Sequence, residues 1–185
     1  VDRDRYGRVT RKPAQRRDLR IAKRTEAAAF LTELPASGET WHIISNAKYD
    51  FWTWVAVCGD LMGGYIDELH GSTWTMSRIN VLDMQEQYEQ GRIGTISMLT
   101  GVYFKRREAS VYAQLLQFLS SNGFRLICFE NHTKVLLLKH DPFYLVIEGS
   151  ANFTSNPRLE QYTMSNDQAL YEFHRGWMEE MLGAS

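Results

Sequence analysis

Apolar and polar positions alternate along this chain in blocks that predict helices and strands in turn. Asp18 to Leu34 carries alanine, leucine and phenylalanine at helical spacing and is stopped by Pro35-Ala-Ser-Gly-Glu. The short apolar run Trp41 to Ala47 between turn residues predicts a buried strand, and the aromatic-rich stretch Phe51 to Leu69 a helix. Trp74 to Ile79 reads as a second strand, Val81 to Gln90 as a polar-faced helix and Gly94 to Leu99 as a third strand. Lys105 to Ser121 reads as an amphipathic helix closed by Asn122-Gly123. From Phe124 the blocks shorten to three closely spaced runs, FRLICFE, KVLLLKH and FYLVIEG, the last two joined across a His-Asp-Pro turn, and Asp167 to Leu182 forms a final helix. Runs apolar on both faces suit central strands covered on each side. The expected architecture is therefore an α/β domain with a mixed, largely parallel sheet, helices on both faces and a late hairpin.

Charge divides the chain where hydropathy does not. Ten of the 21 basic residues lie in the first 24 positions, opposed there only by Asp2, Asp4 and Asp18, so residues 1–24 carry a formal +7 and the remainder −8. This assigns 1–24 to a basic N-terminal arm and 25–185 to one folded domain, a length that builds a single ordinary core. Arg11, Lys12, Arg16, Arg17, Arg20, Lys23 and Arg24 are the expected contacts to nucleic-acid phosphates, through counterion release. The competing readings of the arm are docking on an acidic protein surface and a solvated helix face. The sequence shows no apolar run of membrane-spanning length and no secretory pattern, which leads us to expect a cytoplasmic protein with no membrane partner. Cys58 and Cys128 sit in apolar runs and read as reduced thiols, and His42, His70, His140 and His174 lack ligand spacing, so no metal is expected.

The dense cluster of reactive side chains lies between residues 130 and 164. If Glu130 to Lys134 is strand, then Glu130, His132 and Lys134 share a face while Asn131 and Thr133 point away. The next strand ends at Glu148, and the turn Gly149-Ser150-Ala151-Asn152 that follows would bring backbone N–H groups, a hydroxyl and a carboxamide beside that face. A lysine, an amide and an open glycine backbone suit an anionic tetrahedral group, and an imidazole beside them can attack it or donate a proton.

His132-x-Lys134 followed by Gly149-Ser150-x-Asn152 resembles the HxK...GSxN signature of the phospholipase D superfamily, which includes phospholipases and metal-independent nucleases, and Glu160 resembles its trailing glutamate. The resemblance implies a two-step phosphodiester reaction in which one histidine forms a phosphohistidine and a second protonates the leaving group, then activates water. It implies that Lys134 and Asn152 bind nonbridging oxygens, that Ser150 supports the phosphate pocket, and that Glu160 orients His132. It implies no metal and no small-molecule cofactor. Two signatures are needed per site and the chain has one, so it implies a homodimer with His132 of each subunit meeting across a twofold axis. The sequence departs from the family pattern at Lys139, where the family has aspartate; Asp141 follows two residues later. The expected function is thus a phosphodiesterase, a nuclease with DNA as the favoured substrate. The alternative is a dormant relative that binds nucleic acid or serves assembly, and a lipid phosphodiesterase is a third reading.

Overall fold

The computed structural model describes residues 12–45, 50–154 and 158–183, with side chains described from Arg20 onward. Arg11, the end of the strand expected to reach Ala47, and the side chains of Lys12, Arg16 and Arg17 therefore lie outside the described residues.

The chain runs α1 (Lys12–Phe30), β1 (Thr40–Ser45), α2 (Thr53–Leu61), β2 (Ile66–Thr73), α3 (Arg78–Glu89), β3 (Ile93–Gly101), α4 (Val102–Arg107), α5 (Ala109–Ser121), β4 (Arg125–Phe129), β5 (Val135–His140), β6 (Phe143–Gly149), β7 (Glu160–Asn166) and α6 (Gln168–Gly183). The seven strands form one sheet in the order β1-β7-β6-β5-β2-β3-β4.

The sheet is mixed but not largely parallel, which corrects the expectation from the alternating blocks. Only β2–β3 and β3–β4 pair in parallel; β1–β7, β7–β6, β6–β5 and β5–β2 are antiparallel. The reason is connection length. A parallel pair needs a crossover of a dozen or more residues, which α3 and the α4–α5 pair supply. Among the described residues beyond β4 no helix intervenes until α6, and only Asp141 and Pro142 separate β5 from β6, so the chain must reverse there.

Helices do cover both faces. Along β5 and β6, Leu136, Leu138, Leu145 and Ile147 join the larger core with Trp54, Val55 and Met84, while Val135, Leu137 and Val146 pack under α6 against Tyr171, Met178 and Leu182. This two-sided demand explains the uninterrupted apolar runs. Two further expectations shift. The stretch from Phe51 to Leu69 is helix only to Leu61, because Gly63 and Gly64 adopt φ of 95° and 93° and turn the chain into β2. Trp74 to Ile79 is not a strand; it contains the Ser77 N-cap of α3, whose side chain accepts from the Asn80 N–H.

The helix that carries the basic segment continues across residue 24 to Phe30 and is tied to the domain by its own cations. Arg20 bridges Asp83 at 2.8 Å and Glu86 at 2.5 Å, Arg24 reaches Asp83 at 2.5 Å, and Lys23 reaches Asp50 at 3.3 Å. Among the described residues no helix is long and apolar enough to cross a membrane.

Candidate active site

Asn131 holds the reactive segment in place. Its buried amide donates to Ser72 Oγ at 2.9 Å, and its Oδ1 accepts from the Thr133 N–H at 2.9 Å and from Thr133 Oγ at 2.7 Å. Ser72 Oγ lies 2.6 Å from Thr133 Oγ, which closes a ring of hydrogen bonds against β2. Residues 131–134 are therefore a side-chain-pinned approach to β5 rather than strand, since the Thr133 N–H is taken by the Asn131 side chain and the His132 carbonyl by Lys134 Nζ. Strand alternation fails here: Thr133 is exposed and lines the groove beside His132 and Lys134, and only its hydroxyl reaches back to Asn131 and Ser72. Glu130 is exposed and does not line the groove.

That groove encloses about 570 Å³ and is lined by His132, Lys134, Gly149, Ser150, Glu148 and His174, among others. Lys134 Nζ donates to the His132 carbonyl at 2.8 Å and stands 3.4 Å from His132 Nδ1. Partial burial lowers the Lys134 pKa, and the charge of Glu160 opposes that shift. An ammonium has three donors, so these contacts leave capacity for an anion.

Ser150 is fixed by β7. Its N–H donates to the Gln161 carbonyl at 3.1 Å, its Oγ accepts from the Gln161 N–H at 3.1 Å, and the same hydroxyl donates to Glu160 Oε2. Glu160 thus meets the site through Ser150 and the field at Lys134. Asn152 is half-buried and does not line the groove; its Oδ1 is buried with no hydrogen-bond partner among the described residues. The next residue, Phe153, anchors the turn, its carbonyl accepting from Ser77 N–H at 2.9 Å and Asn80 Nδ2 at 3.0 Å.

Gly149 is where β6 and β7 come too close for a side chain: a Cβ there would stand 2.8 Å from the Gln161 carbonyl oxygen and 2.8 Å from Tyr162 Cδ1. Gly149→Ala is expected to destabilise by about 1–3 kcal/mol and to displace Ser150. Urea melts of the variant beside wild type check the loss.

Sequence reasoning gave no site role to His174 in this groove, nor to Trp74 and Tyr103 beside His132. His174, on α6, takes a hydrogen bond on Nδ1 from Trp177 Nε1 at 3.1 Å, and its Nε2 lies 3.5 Å from Glu148 Oε1. Burial lowers its pKa and Glu148 opposes the shift. Trp74 lies edge-on to His132 with ring centroids 5.4 Å apart. The Trp74 ring is in turn stacked on Tyr103. Only the spacing of residues on different elements marks these groups, which a linear sequence does not display. Lys139, at the family's aspartate position, sits opposite Glu68 on β2 and donates to it at 3.2 Å.

No protein-family model matches this sequence, and no curated protein matches it. Solved structures do. Nuc, a phospholipase D family member from Salmonella typhimurium, superposes with a TM-score of 0.53 at 14% identity over 77% of this chain and 93% of its own. Phosphatidylserine synthase from Haemophilus influenzae gives 0.54 at 10% identity over 77% of this chain and 38% of its own. TrmBL2, an archaeal chromatin protein with a novel mode of DNA binding, gives 0.50 at 10% identity over 92% of this chain and 62% of its own. Likeness at such low identity speaks for architecture alone, and the architecture it identifies is the fold of the phospholipase D superfamily.

Proposed function

We propose that this chain is a metal-independent phosphodiesterase that cleaves nucleic acid, DNA first, at a site shared by two subunits of a homodimer. The observation that carries the reading is the convergence of His132, Lys134 and Ser150 on one groove, with Ser150 bonded to Glu160, on a phospholipase D fold. His132 attacks phosphorus, so that a nitrogen–phosphorus bond forms as the bond to the leaving oxygen breaks. The second subunit's copy of the same histidine gives that oxygen its proton, then takes one from the water that hydrolyses the phosphohistidine. Lys134 holds one nonbridging oxygen, the Asn152 amide takes another by turning into the groove that it does not line here, and Glu160 fixes Ser150 and sustains the charge of Lys134. The similarity to Nuc and to a DNA-binding chromatin protein favours a nucleic-acid substrate. Of the basic segment, Arg11, Lys12, Arg16 and Arg17 are our phosphate contacts. Arg20, Lys23 and Arg24 can serve only by giving up Asp83, Glu86 or Asp50.

Incubation with supercoiled plasmid and with a single-stranded oligonucleotide in excess EDTA tests this, with molar mass measured on the same samples. Cleavage by a dimer is the expected result. Lys139 favours a second reading, since a cation paired to Glu68 replaces the family's carboxylate. Salt-sensitive binding without cleavage would select that reading, a dormant nucleic-acid-binding or assembly protein, and hydrolysis of phosphatidylcholine vesicles alone would select a lipid enzyme.

A further inference from the structure

Beside His132 stands a column of planar groups that the core does not use. The Trp74 and Tyr103 rings stack with centroids 4.1 Å apart and planes 21° apart, and the Arg107 guanidinium lies over Tyr103 at 5.7 Å. Trp74 is half-buried and Tyr103 is 37% exposed, whereas the adjacent Phe104 is fully buried. Helix α4 thus commits one aromatic to the core and leaves its neighbour at the surface. The column also has a built seat: a Cβ at Gly101 would stand 2.7 Å from Trp74 Cδ1 and 2.8 Å from the Asn131 carbonyl, so only glycine lets the indole and the His132 segment close together. Three exposed cations, Lys105, Arg106 and Arg107, follow Tyr103 on the same helix.

An exposed aromatic stack bordered by cations is the chemistry that holds unpaired bases. Every base offers a π-face, and in a duplex that face is already covered by its neighbours. We infer that Trp74 and Tyr103 form a stacking platform for an unpaired nucleobase of the strand whose phosphate lies at His132, with Lys105, Arg106 and Arg107 meeting the flanking phosphates. This rests on the nucleic-acid phosphodiesterase reading and narrows its substrate to single-stranded nucleic acid. The 5.4 Å between the Trp74 and His132 rings sets the platform directly beside the reacting phosphate.

The test is fluorescence anisotropy on the His132→Ala protein, which leaves the probe uncut. The probes are a short single strand, its duplex and an abasic strand of equal length, each in DNA and RNA form. The single strand is expected to bind about tenfold or more tighter than either the abasic strand or the duplex. Tyr103→Leu is expected to remove that margin while leaving duplex affinity unchanged, and Tyr103→Phe to keep it; thermal melts of both variants establish that they fold. Equal affinity for base-bearing and abasic strands, or an undiminished Tyr103→Leu, overturns the platform even if wild type cleaves DNA. If wild type neither binds nor cleaves any nucleic acid, the phosphodiesterase reading falls and the platform with it.

Discussion

Replacing His132 with alanine is expected to lower phosphodiester cleavage by at least about a thousandfold with the fold intact. The size of the loss follows from what the imidazole contributes: in a shared site one substitution removes both the nucleophile and the proton donor, so no residual acid–base pair remains. The fold survives because His132 is exposed, and the ring of hydrogen bonds that shapes its segment belongs to Asn131, Thr133 and Ser72. Mixing the variant with an excess of a Lys134→Ala subunit adds a second readout. Neither parent has a complete signature, and no mixed dimer regains both histidines, so activity stays low. A variant as active as wild type in EDTA would remove His132 from the chemistry. A phosphohistidine trapped on wild type and missing from the variant would place it there.

Much of this was legible in the sequence because reactive residues and strand ends coincide there. The two apolar runs of β5 and β6 and the glycine that ends β6 put His132, Lys134, Ser150 and Glu160 near one end of two adjacent strands, and the structure has them there. The parallel share of the sheet was misjudged because blocks report the alternation of elements, whereas strand direction depends on what joins them; two residues between β5 and β6 permit only a hairpin. The first half of β2, with its apolar Ile66 and Leu69, was absorbed into the predicted helix, and the second half showed no strand pattern because its buried positions, His70, Gly71, Ser72 and Thr73, are polar or small. They are so for physical reasons: Gly71 has no room for a Cβ beside Met98 and Phe153, and Ser72 and Thr73 bond the site loops. The local pattern cannot announce a strand whose composition is set by neighbours 60 and 80 residues away. The same holds for the Trp74–Tyr103 column, whose members come from the ends of β2 and β3 and meet only because those strands pair in parallel.

Replacing Asp83 with alanine is expected to be the costliest single change outside the groove. Asp83 is 2% exposed on α3, and its carboxylate gathers four donors from three elements: Trp52 Nε1 at 2.9 Å, Gln87 Nε2 at 2.7 Å, Arg20 at 2.8 Å and Arg24 at 2.5 Å. The arginines can swing toward water when the carboxylate goes, so their share of the loss is limited. The Trp52 indole cannot, because that residue is fully enclosed in the core, and its N–H would be left buried and unsatisfied. Breaking a buried charge network by removing one side costs about 3–5 kcal/mol, which at this chain length lowers Tm by about 6–20 °C. Arg20→Ala should cost much less, since three donors remain on Asp83. Thermal melts of the two variants decide the matter: equal shifts would mean that the carboxylate serves chiefly to dock α1, whereas a shift several times larger for Asp83→Ala would mean that it holds Trp52, and through Trp52 the packing of Phe153 beneath the Ser150 turn.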